Sequence, residues 1–265
     1  MKDIKSNESG RHLESLMKGL EVLNCIERSS GSAMTLSEIA DATGLYKSRV
    51  MRVCGTLEHM GYLIHDRQNK LYRLGSRLLS LGRAYERNNP LILTIKPSLD
   101  FLNSELNVTA SFYILRGMHR VCVARVGVKR EWEHTTEGEE RELHYGSTGK
   151  VFLAFGPQSL RESFFSQEEP YTKLTPFTLT TSRQVWDEVR AVREKGYAES
   201  FEERVMGLAG LAAPVYQVGE ELAGVVSVAG NIKDFGSEKV AVYVPFLLGE
   251  AGKLSRKLGF YNGKI

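Results

Sequence analysis

Two short stretches hold the residue types that could do chemistry. The first is LSEIADATGLYKSRVMRV, residues 36–53, whose second half presents Tyr46, Lys47, Ser48, Arg49 and Arg52 with no acid among them. Arg and Lys can pair with guanine O6 and N7, each good contact being worth about 1–3 kcal/mol of base discrimination. The bland reading of any one of these side chains is a solvated surface residue; the group is harder to explain that way. The second stretch is Gly146-Ser147-Thr148-Gly149-Lys150, which superficially looks like a phosphate loop. Its spacing is not GxxxxGK[ST], and Val151 stands where Ser or Thr would hold Mg²⁺. No GxSxG elbow or HExxH motif occurs, and the six His and three Cys show no metal-ligand spacing. No catalytic residue, cofactor or metal is expected. An enzyme, or a ligand-binding or protein-interaction module without DNA binding, stands as the alternative.

The basic stretch needs a helix to present it. Ala40, Gly44 and Val50 have helix-turn-helix spacing: a small residue where helices approach, a glycine for the turn, and a Val in the angle between them. Before it, apolar positions 13, 16, 17, 20, 23 and 26 predict a helix to about Arg28, ended by Ser-Ser-Gly-Ser at 29–32. Thr35 with Glu38 forms a capping-box pattern at the start of the next helix, and Thr35 is placed with the DNA-contacting set. After Gly61, two extended runs at 62–65 and 71–74 flank the polar turn Asp66-Arg67-Gln68-Asn69-Lys70. Three helices and a hairpin make a winged helix-turn-helix, whose wing residues Arg67 and Lys70 reach phosphates.

Gly75 to Tyr85 predicts an amphipathic linker helix leading to Pro90, and Leu91 to Asn107 a further helix with Pro97, an apolar face at 91, 92, 95, 99, 102 and 106, and a possible kink. Beyond Val108 the texture changes to strands: TASFYILRG and HRVCVARVG around a hairpin, then LAGLAAPVY and LAGVVSVAG. Between them lie a charged segment at 131–142, an apolar helix entered at 143–155, and helices at 157–170 and 182–195; residues 237–258 close the chain as a helix. The fold class is therefore α+β. The domains expected are a disordered tail at 1–12, a winged helix-turn-helix at 13–75, a linker helix at 76–90, and a sensor domain with an antiparallel sheet at 91–265.

Charge distribution fits this division. Residues 1–90 hold 14 Lys and Arg against 10 Asp and Glu, a net +4, whereas residues 91–265 hold 21 against 22, a net −1. Hydrophobic content of 42% suits a globular core. Cys25, Cys54 and Cys122, odd in number and far apart, suit buried thiols in a reducing compartment. With no apolar run near 18 residues and a polar start, a cytoplasmic location and no membrane partner are expected.

The chain resembles the IclR family of bacterial transcription regulators over essentially its whole length. The likeness rests on LSEIADATGLYKSRVMRVCGTLEHMGYL followed by YRLGSRLLSLG, on LHYGSTGKVFLA, and on GYAESFEERVMGLAGLAAPVY with GVVSVAG downstream. The resemblance implies an N-terminal winged helix on a double-stranded palindromic operator, a GAF/PAS-like C-terminal domain holding a small organic-acid effector, and a homodimer or homotetramer. It implies a regulator, read here as a repressor, of a catabolic operon.

Carried across residue by residue, the resemblance places effector contacts at Ser147, Thr148 and Gly149, at Ser200, at Gly210 and Leu211, and at Ser227 and Ala229. Helix-start N–H groups at 147–149 would favour an anion. Relatives often carry Asp at 200, Cys at 210 and a second Ser at 229. Their replacement here by Ser, Gly and Ala turns the expectation from a very small keto acid toward a larger or aromatic one, with Trp132 and His134 nearby. Trp132 also reads as a core or edge-strand aromatic and His134 as a surface histidine. Arg49 departs from the small residue that relatives often have there, so the operator is not expected to follow theirs.

Overall fold

The computed structural model describes residues 12–29, 33–127 and 136–260. The chain divides into two compact units, Met1–Asn88 and Asn89–Ile265. The expected tail falls outside the described residues except for His12, and Trp132 and His134 lie outside them altogether.

The first unit runs α1 (Glu14–Arg28), β1 (Met34–Thr35), α2 (Leu36–Thr43), α3 (Lys47–His59), β2 (Leu63–Asp66), β3 (Leu71–Leu74) and α4 (Ser76–Asn88). Gly44 takes the left-handed conformation, φ +67°, that lets α2 turn sharply into α3. Val22 and Ile26 of α1, Ile39 and Ala40 of α2, Val50 and Cys54 of α3, and Leu63 and Tyr72 of the hairpin form one core. The wing gains a third strand that the sequence did not announce: β1 pairs antiparallel with β3, Met34 opposite Tyr72. The predicted stripe of α1 is only half buried. Leu13, Leu16, Met17 and Leu20 are exposed, because the core of this unit reaches only the C-terminal half of the helix.

The second unit runs α5 (Pro90–Leu106), β4 (Thr109–Arg116), β5 (His119–Val126), β6 (Glu140–Arg141), α6 (Gly146–Phe155), α7 (Gln158–Phe165), α8 (Ser182–Lys195), β7 (Ala198–Phe201), β8 (Leu208–Tyr216), β9 (Leu222–Asn231) and α9 (Ser237–Lys257). The strands form one antiparallel sheet in the order β6-β5-β4-β9-β8-β7. Pro97 lies inside a continuous α5 rather than starting a new segment. The helix expected over 157–170 stops at Phe165.

Strand alternation assigns side chains to the two faces. Phe112 and Leu211 join Leu99, Leu102 and Leu247 of α5 and α9. Tyr113 and Ala212, one residue on in each strand, join Val151, Phe152 and Val189 of α6 and α8. The sheet is thus covered by helices on both faces, and this is the α/β architecture with a curled antiparallel sheet that positions the site below.

Gly224 of β9 shows how tightly the sheet is packed. A Cβ there would stand 2.4 Å from Phe112 Cε1 and 2.5 Å from the Tyr113 carbonyl oxygen. Gly224→Ala is expected to destabilise the protein by about 1–3 kcal/mol through overpacking, read as a lower urea midpoint. An unchanged midpoint would show that the Phe112 ring yields freely.

Candidate functional site

In the first unit the candidate surface is the outer side of α3. Val50 and Cys54 are fully buried. At about 100° per residue the opposite side is Ser48, Arg52, Gly55 and His59, with Arg49 and Thr56 on one flank and Lys47 and Met51 on the other. All eight are exposed. Of the side chains expected to read bases, Ser48 and Arg52 occupy the centre of this face, while Lys47 and Arg49 occupy its margins. Gly55 and His59 went unremarked in the sequence, although the same periodicity that selects Ser48 and Arg52 selects them.

Arg49 Nη2 donates to Glu14 Oε1 of α1 at 3.0 Å. An exposed pair of this kind contributes about 0–1 kcal/mol, so it yields readily to a stronger anion. Tyr46 precedes α3 as its N-cap residue, with its side chain 86% exposed and making no cap. Thr35 acts locally. Its Oγ1 accepts from Glu38 N at 3.3 Å while its own N–H donates to Glu38 Oε2 at 2.7 Å, closing a capping box on α2. At the wing tip, Asp66 accepts from the N–H groups of Gln68 and Asn69, which folds the turn and leaves Arg67 and Lys70 in solvent.

In the second unit, register brings together residues distant in sequence. Ser200 pairs with Gly210, and Gly210 with Ala229, making one row across β7, β8 and β9. Ser227 lies two residues along on the same face of β9. A Cβ on Gly210 would stand 3.6 Å from Ser147 Oγ, so the start of α6 closes over this row. Ser147, Thr148, Ser200, Gly210, Ser227 and Ala229 all border one small cavity, which offers about 70 Å³ to a water-sized molecule. Leu211 does not border it. Its side chain is fully buried in the core on the other face of the sheet, as the two-residue period requires.

The cavity also contains residues that sequence reasoning missed: Arg120 of β5, Arg141 of β6, and Glu203 and Arg204 of the turn after β7. Arg120 explains the glycines. A Cβ on Gly149 would meet Arg120 Nη1 at 2.2 Å and the Leu143 carbonyl oxygen at 2.3 Å, and one on Gly146 would meet Arg120 Nη2 at 3.0 Å. Gly149 is therefore a bed for a buried guanidinium rather than a wall of the cavity. Arg120 Nη1 donates to the Tyr145 carbonyl at 2.6 Å, but Nε has no partner. Burial lowers the group to about 10, which leaves it charged at neutral pH.

Glu203 takes the place proposed for a ligand at the start of α6. Its Oε2 accepts from Gly146 N at 2.8 Å and its Oε1 from Lys150 Nζ at 2.5 Å. Lys150 also donates to Glu188 Oε2 and to the Glu199 carbonyl, so its three donors meet three acceptors. Arg141 grips Glu139 with two hydrogen bonds, at 2.9 and 2.7 Å. Burial pushes the Glu139 carboxyl up, but the hydrogen bonds and charge of Arg141 outweigh it and hold the group below the usual carboxylate range. Arg204 Nη1 lies 3.7 Å from the same carboxylate, and its Nη2 is buried without a partner. Burial, then the charge of Arg141, lowers the Arg204 guanidinium.

A winged helix with a basic exposed α3, joined to an α/β domain enclosing a cationic cavity, defines a ligand-responsive DNA-binding protein. The IclR helix-turn-helix domain matches residues 15–67, and the bacterial transcriptional regulator IclR C-terminal domain matches residues 83–256. The chain belongs to the IclR family of transcriptional regulators. It is 28% identical to the HTH-type transcriptional regulator BhcR of Paracoccus denitrificans, covering 94% of this chain and 88% of the relative. It is 25% identical to KipR of Bacillus subtilis, covering 93% and 98%. The crystal structure of the IclR transcriptional regulator from Alicyclobacillus acidocaldarius superimposes with a TM-score of 0.83 at 25% identity over 94% of this chain and all of the other. An IclR homolog from Microbacterium hydrocarbonoxydans, solved with 4-hydroxybenzoate, shares the fold at 19% identity and a TM-score of 0.74, over 92% of this chain and 99% of the other. No helix among the described residues is long and apolar enough to cross a membrane.

The Lys150–Glu203 pair gives a direct test. Lys150→Met is expected to cost about 3–5 kcal/mol, since it leaves the buried Glu203 carboxylate without its cation. Adding Glu203→Gln to it is expected to recover part of the loss. Chemical unfolding of the single and double variants reads both, and strictly additive losses would refute the coupling.

Proposed function

We propose that this regulator represses a catabolic operon by holding a palindromic operator through α3 and the wing, and releases it when a small organic acid enters the cavity of the second unit. The observation that carries the effector reading is Arg120, which borders the cavity, is 2% exposed and has a buried Nε without a partner. A buried donor without an acceptor is costly, and an acid from solution relieves that cost. The homolog crystallised with 4-hydroxybenzoate supports a carboxylate-bearing ligand. The absence of bulk at Gly210 and Ala229 does not make room for an aromatic one, because Val228, Ala229 and Ser147 close around Gly210. The space open, about 70 Å³, is below the roughly 150 Å³ of an apolar cavity that takes a benzene ring, which favours a compact acid.

The protein assembles as a homodimer or homotetramer in this reading, because a palindrome needs paired recognition helices and the exposed Leu13, Leu16 and Leu20 of α1 supply apolar surface. Its place of work is the cytoplasm, where the chromosome is. No reaction is assigned: Lys150, the amine a nucleophilic mechanism would use, is committed to three acceptors.

Electrophoretic shift on the DNA upstream of the neighbouring operon, with and without candidate acids, tests the reading. Arg52→Ala is expected to weaken operator binding by about 1–3 kcal/mol and to relax specificity at one base position. Stability should stay within about 0.5 kcal/mol of the parent. Unchanged affinity at low salt would remove Arg52 from the interface, and no shift on any nearby promoter would favour the readings without DNA.

A further inference from the structure

The charges around the cavity do not balance. Among the described residues, three cations, Arg120, Arg141 and Arg204, border it with one carboxylate, the buried Glu203; behind them stand Lys150 and the half-buried Glu139. A third carboxylate, Glu188, binds Lys150 from the rim, but its side chain is 44% exposed and therefore screened by solvent. Glu203 belongs to Lys150 and Gly146, and Glu139 belongs first to Arg141. Among the described residues two guanidinium groups are left over. Arg120 has no carboxylate partner among the described residues, and Arg204 has only the distant edge of Glu139, at 3.7 Å. Each keeps one buried N–H donor unused, Nε of Arg120 and Nη2 of Arg204. They come from β5 and from the turn after β7, and both border the same cavity.

We propose that the effector is a compact dianion, a short-chain dicarboxylate, held by the guanidinium groups of Arg120 and Arg204, which border the cavity. The proposal rests on the effector reading given above and names its ligand class. Two charges on the ligand match two unneutralised guanidinium groups, and charge-assisted hydrogen bonds to Arg are roughly twice as strong as neutral ones. Hydroxyls of Ser147, Thr148 and Ser227 can donate to the remaining carboxylate oxygens. Leu208 and Ala229 add apolar wall, which a carbon chain uses and an inorganic dianion does not. The small open volume excludes a long chain. A monocarboxylate would leave one of the two cations buried and unmatched.

The test is calorimetric titration of the full chain with malonate, succinate, propionate, butyrate and inorganic phosphate at one fixed ionic strength. Dicarboxylates are expected to bind at least about tenfold tighter than the monocarboxylates of matching length. Arg204→Gln, at a partly exposed position, is expected to bring that ratio close to one, whereas Arg120→Lys, which keeps the charge but not the fork, is expected to weaken binding of both classes and to lower the ratio only in part. Circular dichroism checks that both variants fold; if Arg120→Lys does not, Arg204→Gln decides alone. Equal binding of mono- and dicarboxylates overturns the proposal, as does binding of phosphate alone or a preference that survives Arg204→Gln. A different compound that releases the operator while no dicarboxylate binds overturns the dianion and leaves the regulator intact. Failure to bind any operator fails the regulator reading instead, and a dicarboxylate preference would still stand.

Discussion

One carboxylate holds the second unit's cavity in shape. Glu203 accepts from the first N–H of α6 and from the ammonium of Lys150 one turn further along the same helix. A helix N-terminus and a buried cation both call for negative charge, and a single side chain meets both demands. Because Glu203 lies in the turn after β7, this clamp fixes α6 against the far edge of the sheet. It also fixes the neighbouring residue, Arg204, on the border of the cavity. The hydroxyl of Thr178 donates to the Glu203 carbonyl and that of Thr175 to the Glu202 carbonyl, so the backbone of the turn is held as well as its side chain. The anion-binding capacity of the α6 terminus is thereby partly spent within the protein, and attraction for a ligand passes to the arginines.

The two units solve opposite electrostatic problems. The recognition helix carries its cations in solvent, where they cost little and their mutual repulsion is screened. The cavity carries its cations in the interior, where each must find a partner. Arg141 finds one in Glu139 and Lys150 finds several, which leaves the imbalance concentrated on Arg120 and Arg204. Buried donors left without acceptors in this way carry a desolvation cost that the protein itself does not offset.

Much of this architecture was legible in the sequence because it rests on short-range rules. The Ala40, Gly44 and Val50 spacing, the Thr35 and Glu38 capping box and the alternation in β4, β5, β8 and β9 are local, and local chemistry specifies them. What escaped was non-local. Arg120 lies 29 residues before Gly149, and nothing in either segment announces that the glycine exists to seat the guanidinium. Gly146 and Gly149 invite a phosphate-loop comparison because a backbone cleared for a ligand and one cleared for an arginine look alike in one dimension. The resemblance places Leu211 beside Gly210 in the effector site, but adjacent strand residues face opposite ways. The apolar spacing on α1 predicts a helix, but periodicity reports an apolar face without saying what covers it.

Gly55 acquires a different meaning from the structure. It lies in the middle of α3 on the exposed side, where a side chain would meet no atom of the chain within 4 Å. Replacing a mid-helix glycine by alanine ordinarily strengthens a helix by about 1 kcal/mol, so the fold itself gains nothing from the vacancy. The position is a notch in an otherwise occupied surface, one that lets the axis of α3 lie closer to whatever it docks against. A side chain added there would extend the surface that α3 presents without disturbing the core, and it would raise rather than lower the stability of the helix.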